Sequence, residues 1–372
     1  MEIKDNRLGY ANAPERTGEK NDGGNWTPFV RFGGKGGEYF GILFGNFILS
    51  ILTLGVYSFW GKAKARRYIW SRTSIMGEPL EYTGTGKELF ISFLIVIPPF
   101  LVFAFFLSFL AQTQPFLAFI VYPAFLFLWE FASYRALRYR LTRTRWRGIR
   151  GNMSGSALSY AWKACGYWLA IICSLGLLMP WGSARMTTLK LNEVWFGNRK
   201  AAFNGPAKEL MKPFFVCYAS GVIAMAVLFG AVCAILYATG NFGVPGASAD
   251  PLVSLAPIGL MLLYFLAVTL IMSIYQAAHF RWLCRHFAYG QIRLRSLLAG
   301  MQVFRVMLGN LLQVACTLGF GYAWAYVRGL RLVCNSVEYQ GDPQLVELLQ
   351  DSQKAPTRGE GLLEALDVDI AL

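Results

Sequence analysis

Charge is scarce in this chain. Of its 372 residues only 15% are Asp, Glu, Lys or Arg, against about 25% in a soluble domain. Acid is scarcest in the middle, where residues 29–341 hold nine Asp or Glu. Histidine occurs only at His279 and His286. Acid–base and metal chemistry draw on these side chains, so an enzyme would have little to work with. The patterns GxSxG, HExxH and GxxxxGK[ST] are absent. The seven cysteines include no CxxC pair and sit mostly in apolar stretches, which suits packed thiols rather than disulfides or zinc. Residues 1–28 lack the apolar core of a cleavable signal peptide. No catalytic residue, metal or cofactor is implied.

What the chain has in quantity is apolar surface and positive charge. Hydrophobic residues make up 55% and aromatic ones 16%, yet the formal net charge is +14. The N-terminal segment 1–28 is near neutral and reads as a flexible polar tail, and 342–372 reads as an acidic one with seven acids against Lys354 and Arg358. The basic excess therefore lies in 29–341, which reads as a membrane domain. Four apolar runs reach the length of about 20 residues needed to cross a bilayer. They are Leu89–Ala111, Pro115–Tyr134, Pro213–Ala238 and Leu255–Ala278.

The connections between these runs differ in charge. Residues 112–114 and 239–254 contain no Lys or Arg, whereas 61–88 carry Lys62, Lys64, Arg66, Arg67, Arg72 and Lys87. Residues 135–150 carry Arg135, Arg138, Arg140, Arg143, Arg145, Arg147 and Arg150. Basic short loops stay in the cytoplasm, so each apolar pair reads as a hairpin that goes out and returns. Residues 112–114 and 239–254 are then periplasmic. The same rule accounts for the arginines without a polynucleotide, and the expected partner is a bilayer with anionic headgroups rather than nucleic acid.

Three stretches share one pattern. Thr53-Leu54-Gly55 precedes Trp60, Ser174-Leu175-Gly176 precedes Trp181, and Thr317-Leu318-Gly319 precedes Trp324, each Trp five residues after its Gly. Gly45, Gly166 and Gly309 lie ten residues before those glycines, and Lys64, Arg185 and Arg328 lie four after the tryptophans. The apolar hairpins also match, Tyr134 and Arg140 with Tyr275 and Arg281. Ile75–Tyr82 and Val194–Phe203 have β character around a glycine, and Gly-X between apolar runs favours a type II′ hairpin. The fold read here is mainly α and polytopic. Three tandem repeats (about 29–88, 148–212 and 290–341), each an apolar segment, a basic helix and a small cytoplasmic β-hairpin, alternate with transmembrane hairpins at 89–134 and 213–278. An even number of crossings is needed to keep the Trp60 and Trp181 loops on one side. The segments 38–60, 157–181 and 300–324 are therefore read as bent or re-entrant, with straight spans the simple alternative.

The run Phe32-Gly33-Gly34-Lys35-Gly36-Gly37-Glu38-Tyr39-Phe40, with Thr53–Trp60, Arg66-Arg67-Tyr68 and Tyr82–Leu89, resembles the YjgN family of bacterial inner-membrane proteins, a domain of unknown function. The resemblance covers roughly residues 29–341 and is most specific in the first repeat. The second departs from it, with Thr187-Thr188-Leu189 in place of Arg-Arg-Tyr. The resemblance implies a bacterial inner membrane and brings no activity with it.

Two groups of residues stand out as candidate sites. Asn46, Glu130 and Asn310 are polar residues within apolar stretches, where an unpaired polar group is costly. They read either as a polar pocket or solute path, or as interhelical hydrogen bonds with Glu130 paired to a nearby arginine. Trp60, Lys62, Lys64, Arg66 and Arg67, with Arg185 and Arg328, are placed to meet lipid headgroups. His279 and His286 lie on one helical face near Cys284, without an acidic ligand, and read as interfacial basic positions. Functionally the sequence leads to a carrier or channel for a small solute or lipid, its site at the repeat interface. The alternative is a non-transporting scaffold or lipid-organising protein with a cytoplasmic partner surface.

Overall fold

The computed structural model describes residues 26–113, 118–197, 199–238, 251–290 and 292–341. It is predominantly helical, and short strands alternate with pairs of helices. Strands β1 (Thr27–Pro28) and β2 (Val30–Phe32) lead to helices α1 (Gly36–Leu52) and α2 (Ser58–Ser71). Then come β3 (Thr73–Ile75), β4 (Glu78–Tyr82), α3 (Gly86–Thr113) and α4 (Ala118–Arg143). The third pass is β5 (Thr144–Trp146), β6 (Ile149–Met153), α5 (Ala157–Cys173), α6 (Met179–Leu191) and β7 (Val194–Phe196). The fourth is β8 (Arg199–Lys200), β9 (Ala202–Phe203), α7 (Ala207–Ala238), α8 (Pro251–His286) and β10 (Phe287–Tyr289). The last is β11 (Ile292–Ser296), α9 (Gly300–Cys316), α10 (Tyr322–Cys334) and β12 (Val337–Gln340).

Strands this short are marginal as isolated hairpins, and they are not isolated. One series of antiparallel neighbours runs β2-β3-β4-β5-β6-β7-β8 and a second runs β1-β12-β11-β10-β9. β1 and β2 are one length of chain broken only at Phe29. Its N–H donates to the Val337 carbonyl and its carbonyl accepts from the Met76 N–H, both at 2.9 Å. β8 and β9 are likewise broken only at Ala201, whose N–H donates to the Val194 carbonyl at 2.8 Å. The two series thus join at both ends into a closed ring, which leaves no edge strand exposed. The separate cytoplasmic hairpins expected from the sequence are arcs of this one ring.

The turn at Gly77 differs from expectation, whereas the Phe196–Arg199 pair keeps Gly197 first in its two-residue loop. Ile75 pairs with Glu78 and Trp146 with Ile149, so the two-residue loops are Met76-Gly77 and Arg147-Gly148. All four have positive φ: 51° and 87°, then 51° and 76°. That is a type I′ turn, with glycine second rather than first. The residues just before the turns converge across the ring. The Trp146 indole N–H donates to the Ile75 carbonyl at 3.1 Å, and its ring lies 5.7 Å from that of Phe196. The Tyr289 hydroxyl donates to the Phe196 carbonyl at 2.7 Å. None of these pairs is on neighbouring strands, so the contacts bridge alternate strands of the ring.

Each pair of helices starts and ends in adjacent strands of the ring. Three pairs are short. α1 has 17 residues, about 25 Å, and runs unbroken through Gly45, as α5 does through Gly166 and α9 through Gly309. The bend expected at those glycines is absent; the reversal comes ten residues later. There Leu54, Leu175 and Leu318 adopt φ of 50°, 52° and 50°, followed by Gly55, Gly176 and Gly319 at 90°, 87° and 95°. The Gly55 N–H reaches back to Ser50 (2.7 Å), Gly176 to Ile171 (2.8 Å) and Gly319 to Val314 (2.8 Å). This is a Schellman ending with leucine where glycine is usual.

The other two pairs are long. α3, α4, α7 and α8 contain most of the four apolar runs, at 28, 26, 32 and 36 residues. Ala207–Ile235 and Ile258–His286 are long and apolar enough to cross a membrane, with mean hydropathies of 2.2 and 2.3 and only 6% of each window buried. Arg138 donates to the Gly155 carbonyl and Arg281 to the Leu298 carbonyl, each 17 residues on. These bonds align Arg138 with Arg281, which moves by two the register read from Tyr134 and Tyr275.

Candidate functional site

Helix α2 carries Tyr57, at its N-cap, with Trp60, Lys64 and Arg67 spaced by three, four and three residues, so all four share one face. That face lies along the start of α3. Glycine makes this approach feasible, since a Cβ on Gly86 would stand 2.6 Å from both Cα and Cγ of Trp60. Between the two helices is a cleft of about 370 Å³ lined by Tyr57, Trp60, Ala63, Lys64, Arg67, Thr85, Gly86 and Lys87. Arg67 donates to the Gly84 carbonyl at 3.3 Å. Among the described residues no acid neutralises Lys64 or Lys87. The nearby Glu88 turns away, bound by Arg143 at 3.1 Å and by the Tyr139 hydroxyl at 3.0 Å. The cleft is therefore cationic at one end and aromatic at the other.

Of the residues expected at headgroups, the structure brings Trp60, Lys64 and Arg67 into this cleft. Lys62 and Arg66 lie on the opposite face of α2. Arg328 is bound to the side chains of Asn310 (3.2 Å) and Gln313 (2.8 Å). Arg185 is exposed on α6. Sequence reasoning missed Tyr57, Thr85 and Gly86 as lining residues. The spacing of the stripe was available, but the 25 residues between Trp60 and Gly86 gave no sign of contact.

The three intramembrane polar candidates are not gathered into one site. The Asn46 side-chain amide donates to the Gly61 carbonyl at 3.0 Å. That of Asn310 donates to Ala325 at 2.9 Å, in both cases 15 residues on, tying the two helices of a short pair together. Glu130 is buried and accepts from the Tyr160 hydroxyl (2.9 Å), the Trp168 indole N–H (2.8 Å) and the Ser133 hydroxyl (3.4 Å). Neutral donors on α5 thus replace the expected arginine, because Arg138 is spent on the Ser154 and Gly155 carbonyls. The Lys190 ammonium sits 5.3 Å from the ring centre of Tyr160, one of these donors. His286 meets Glu209 at 3.0 Å, while the His279 ring stacks near Trp282 at 5.5 Å. Both histidine rings flank Trp282, that of His286 at 6.1 Å, and among the described residues no His, Cys, Asp and Glu cluster of three or more could hold a metal.

Comparison with known proteins places this architecture in a family. Relatives named inner membrane protein YjgN include that of Salmonella typhimurium, 45% identical over 71 residues, which is 19% of this chain and 18% of the relative. The Escherichia coli O157:H7 protein is 24% identical over 217 residues, 57% of this chain and 50% of its own length. The Escherichia coli K12 protein is 27% identical over 146 residues, 39% and 35% of the two chains. The chain thus spans half or less of the length of these relatives. No solved structure matches it. The family described as bacterial protein of unknown function (DUF898) matches residues 27–365. That match takes in every strand and helix from Thr27 to Gln340, and the chain belongs to this family, with the YjgN inner-membrane proteins among its relatives.

Proposed function

We propose that the protein is a multi-pass inner-membrane protein that holds lipid at its cytoplasmic surface and conducts no solute along the axis of its ring. The relatives' name supports the inner membrane. In this reading α3, α4, α7 and α8 cross the bilayer, the three short pairs dip into the cytoplasmic leaflet and return, and the ring lies in the cytoplasm. Residues 112–114 and 239–254 are then periplasmic. Residues 114 and 239–250 of these loops lie outside the described residues. Five strand–helix–helix–strand passes in the order short, long, short, long, short are the threefold repeat with its two intervening hairpins.

The observation that carries the lipid-organising reading over the channel is that Trp146 and Tyr289 reach across alternate strands of the ring to Ile75 and Phe196. The low burial of the long helices adds to it, since their surfaces face outward. Vesicles reconstituted with the purified protein and loaded with a small fluorescent dye test this. With the native chain at neutral pH they should retain dye as well as protein-free vesicles do. Dye release by the native protein would overturn the sealed ring, whereas release seen only after Trp146→Ala would support the sealing role of that side chain.

One observation favours a carrier instead. Glu130 is a buried carboxylate at membrane depth, and such groups mark ion and proton paths by default. If Glu130→Gln abolished a proton-driven uptake measured in vesicles, the carrier reading would replace ours. We expect Glu130→Gln to change stability alone, because all three of its partners are structural donors of α4 and α5.

A further inference from the structure

The geometry points to the cleft between α2 and α3 as a binding site for the phosphate diester of an anionic phospholipid, with the phosphate between Lys64, Arg67 and Lys87 and the glycerol end against Trp60 and Tyr57. This rests on the reading that α3 enters the bilayer at its first turn. Three features of the cleft are independent of one another. The cations converge from two elements, α2 and the first turn of α3, and two of them, Lys64 and Lys87, have no acidic neighbour among the described residues. The first turn of α3 adds the N–H groups of Gly86 and Lys87, which have no intrahelical acceptor. The third N–H, that of Glu88, is already taken by the Thr85 hydroxyl at 3.3 Å. Finally, the volume of about 370 Å³ suits a headgroup and glycerol rather than a bare ion.

The order of residues along α2 matches the order of groups along a phospholipid. Leu89, three residues into α3, is buried against Phe59 and Ala63, and Phe90 and Phe93 follow on that side. Apolar chain therefore continues from the Trp60 end of the cleft, and charge lies at the Arg67 end, beside the Gly84 carbonyl. A lipid lying in the cleft keeps its acyl chains on the aromatic side and its phosphate at the level where Trp and cations anchor helices. Free phosphate would satisfy the cations and leave Tyr57 and Trp60 without a role.

The test uses the full chain in nanodiscs of phosphatidylcholine, with and without phosphatidylglycerol, reading the lipid retained by native mass spectrometry. The native chain should retain phosphatidylglycerol in preference to phosphatidylcholine. Lys64→Gln, Arg67→Gln and Lys87→Gln should each weaken retention about fivefold, the effect of one cation beside anionic lipid. Lys62→Gln with Arg66→Gln removes twice the charge of any one of these from the other face of α2 and should leave retention unchanged. Trp60→Ala should weaken retention without altering the effect of salt. Equal losses from both faces, or none from the cleft, would overturn the site and leave only diffuse attraction. Displacement of the lipid by millimolar inorganic phosphate, with Trp60→Ala neutral, would reassign the cleft to a soluble phosphate. Retention is scored separately from dye release, so a leaking vesicle that still retains lipid through the cleft sinks the sealed ring and not this site.

Discussion

Trp60 and Gly86 touch so closely that no side chain larger than hydrogen fits between them, the Trp60 backbone itself being the obstacle. Trp324 sits on Gly36 in the same manner and carries the last pair of helices onto the first. A third tryptophan, Trp282, covers Gly205 and donates its indole N–H to the Pro206 carbonyl at 3.2 Å. The glycines that open α1 and α3 and the one just ahead of α7 are therefore docking points for tryptophans of other helices.

Gly86→Ala and Gly36→Ala should each destabilise the protein by about 1–3 kcal/mol, the cost of overpacking a contact that cannot yield. Gly45 and Gly166 recur at matching places in the sequence, yet nothing lies within 4 Å of a Cβ at either. Replacing them with Ala inside a helix should stabilise by up to about 1 kcal/mol. Thermal unfolding in detergent separates the two classes, and a loss at Gly45 equal to that at Gly86 would contradict this packing.

The contrast shows which parts of the fold the sequence makes visible. Helical pairs were legible because Gly55, Gly176 and Gly319 must take positive φ at fixed distances from a tryptophan, a requirement that leaves a pattern. Apolar runs of membrane length were legible from composition alone. Ring closure was not, because Thr27 pairs with Tyr339 across nearly the whole chain, through strands too short to show alternation. The cleft was half legible: Trp60, Lys64 and Arg67 share a helical face, but Lys87 and Gly86 join them only through a tertiary contact. Glu130 was recognised as buried and polar, while its donors Tyr160 and Trp168 lie on another helix and could not be chosen over the neighbouring arginines.

The three leucines at the reversals are a second place where local rules are broken. A left-handed leucine costs roughly 1–2 kcal/mol, and Leu54 is 95% exposed, with no protein packing to offset it. Leu54→Gly should therefore raise stability in detergent by about 1 kcal/mol, with Leu175→Gly and Leu318→Gly adding to it. In membranes the same change should lower retention of the protein during carbonate extraction, since three apolar tips leave the lipid. A fall in detergent stability would show that these tips are packed against something other than solvent or lipid.

Alkaline pH should loosen the ring at Tyr289. Burial pushes its hydroxyl up to about 12 from the ordinary 10, with Arg199 pulling the other way. A raised folded-state pKa gives stability that is whole below pH 10 and is lost as pH climbs toward 12. Tyr289→Phe also deprives the Phe196 carbonyl of its donor, which should cost about 1 kcal/mol at neutral pH. The variant should lose less additional stability than the native chain between pH 10 and 12. An unchanged slope there would mean that Tyr289 ionises as freely in the folded protein as in the unfolded one.

Sidedness follows from the way each helical pair returns to the ring. Because α1 and α2, α5 and α6, and α9 and α10 all begin and end in neighbouring strands, the turns between strands share one side of the membrane. The basic residues Arg145, Arg147 and Arg150 lie on that side, and the reading proposed above therefore expects it to face the cytoplasm. Ala238 and Pro251, where α7 ends and α8 begins, lie at the far end of two helices of 32 and 36 residues, each about 48 Å or more. A cysteine in place of Gly243 should then react with an impermeant thiol reagent in intact cells. Cysteines in place of Arg145 and Asn198 should react only after the membrane is opened. Positions 198 and 243 lie outside the described residues, so this prediction rests on the strands and helices that flank them. Labelling at Asn198 but not Arg145 in intact cells would place α5 or α6 across the bilayer, which the return of both to adjacent strands forbids. Labelling at Arg145 and Asn198 with protection at Gly243 would invert the whole molecule and remove the positive-inside argument with it.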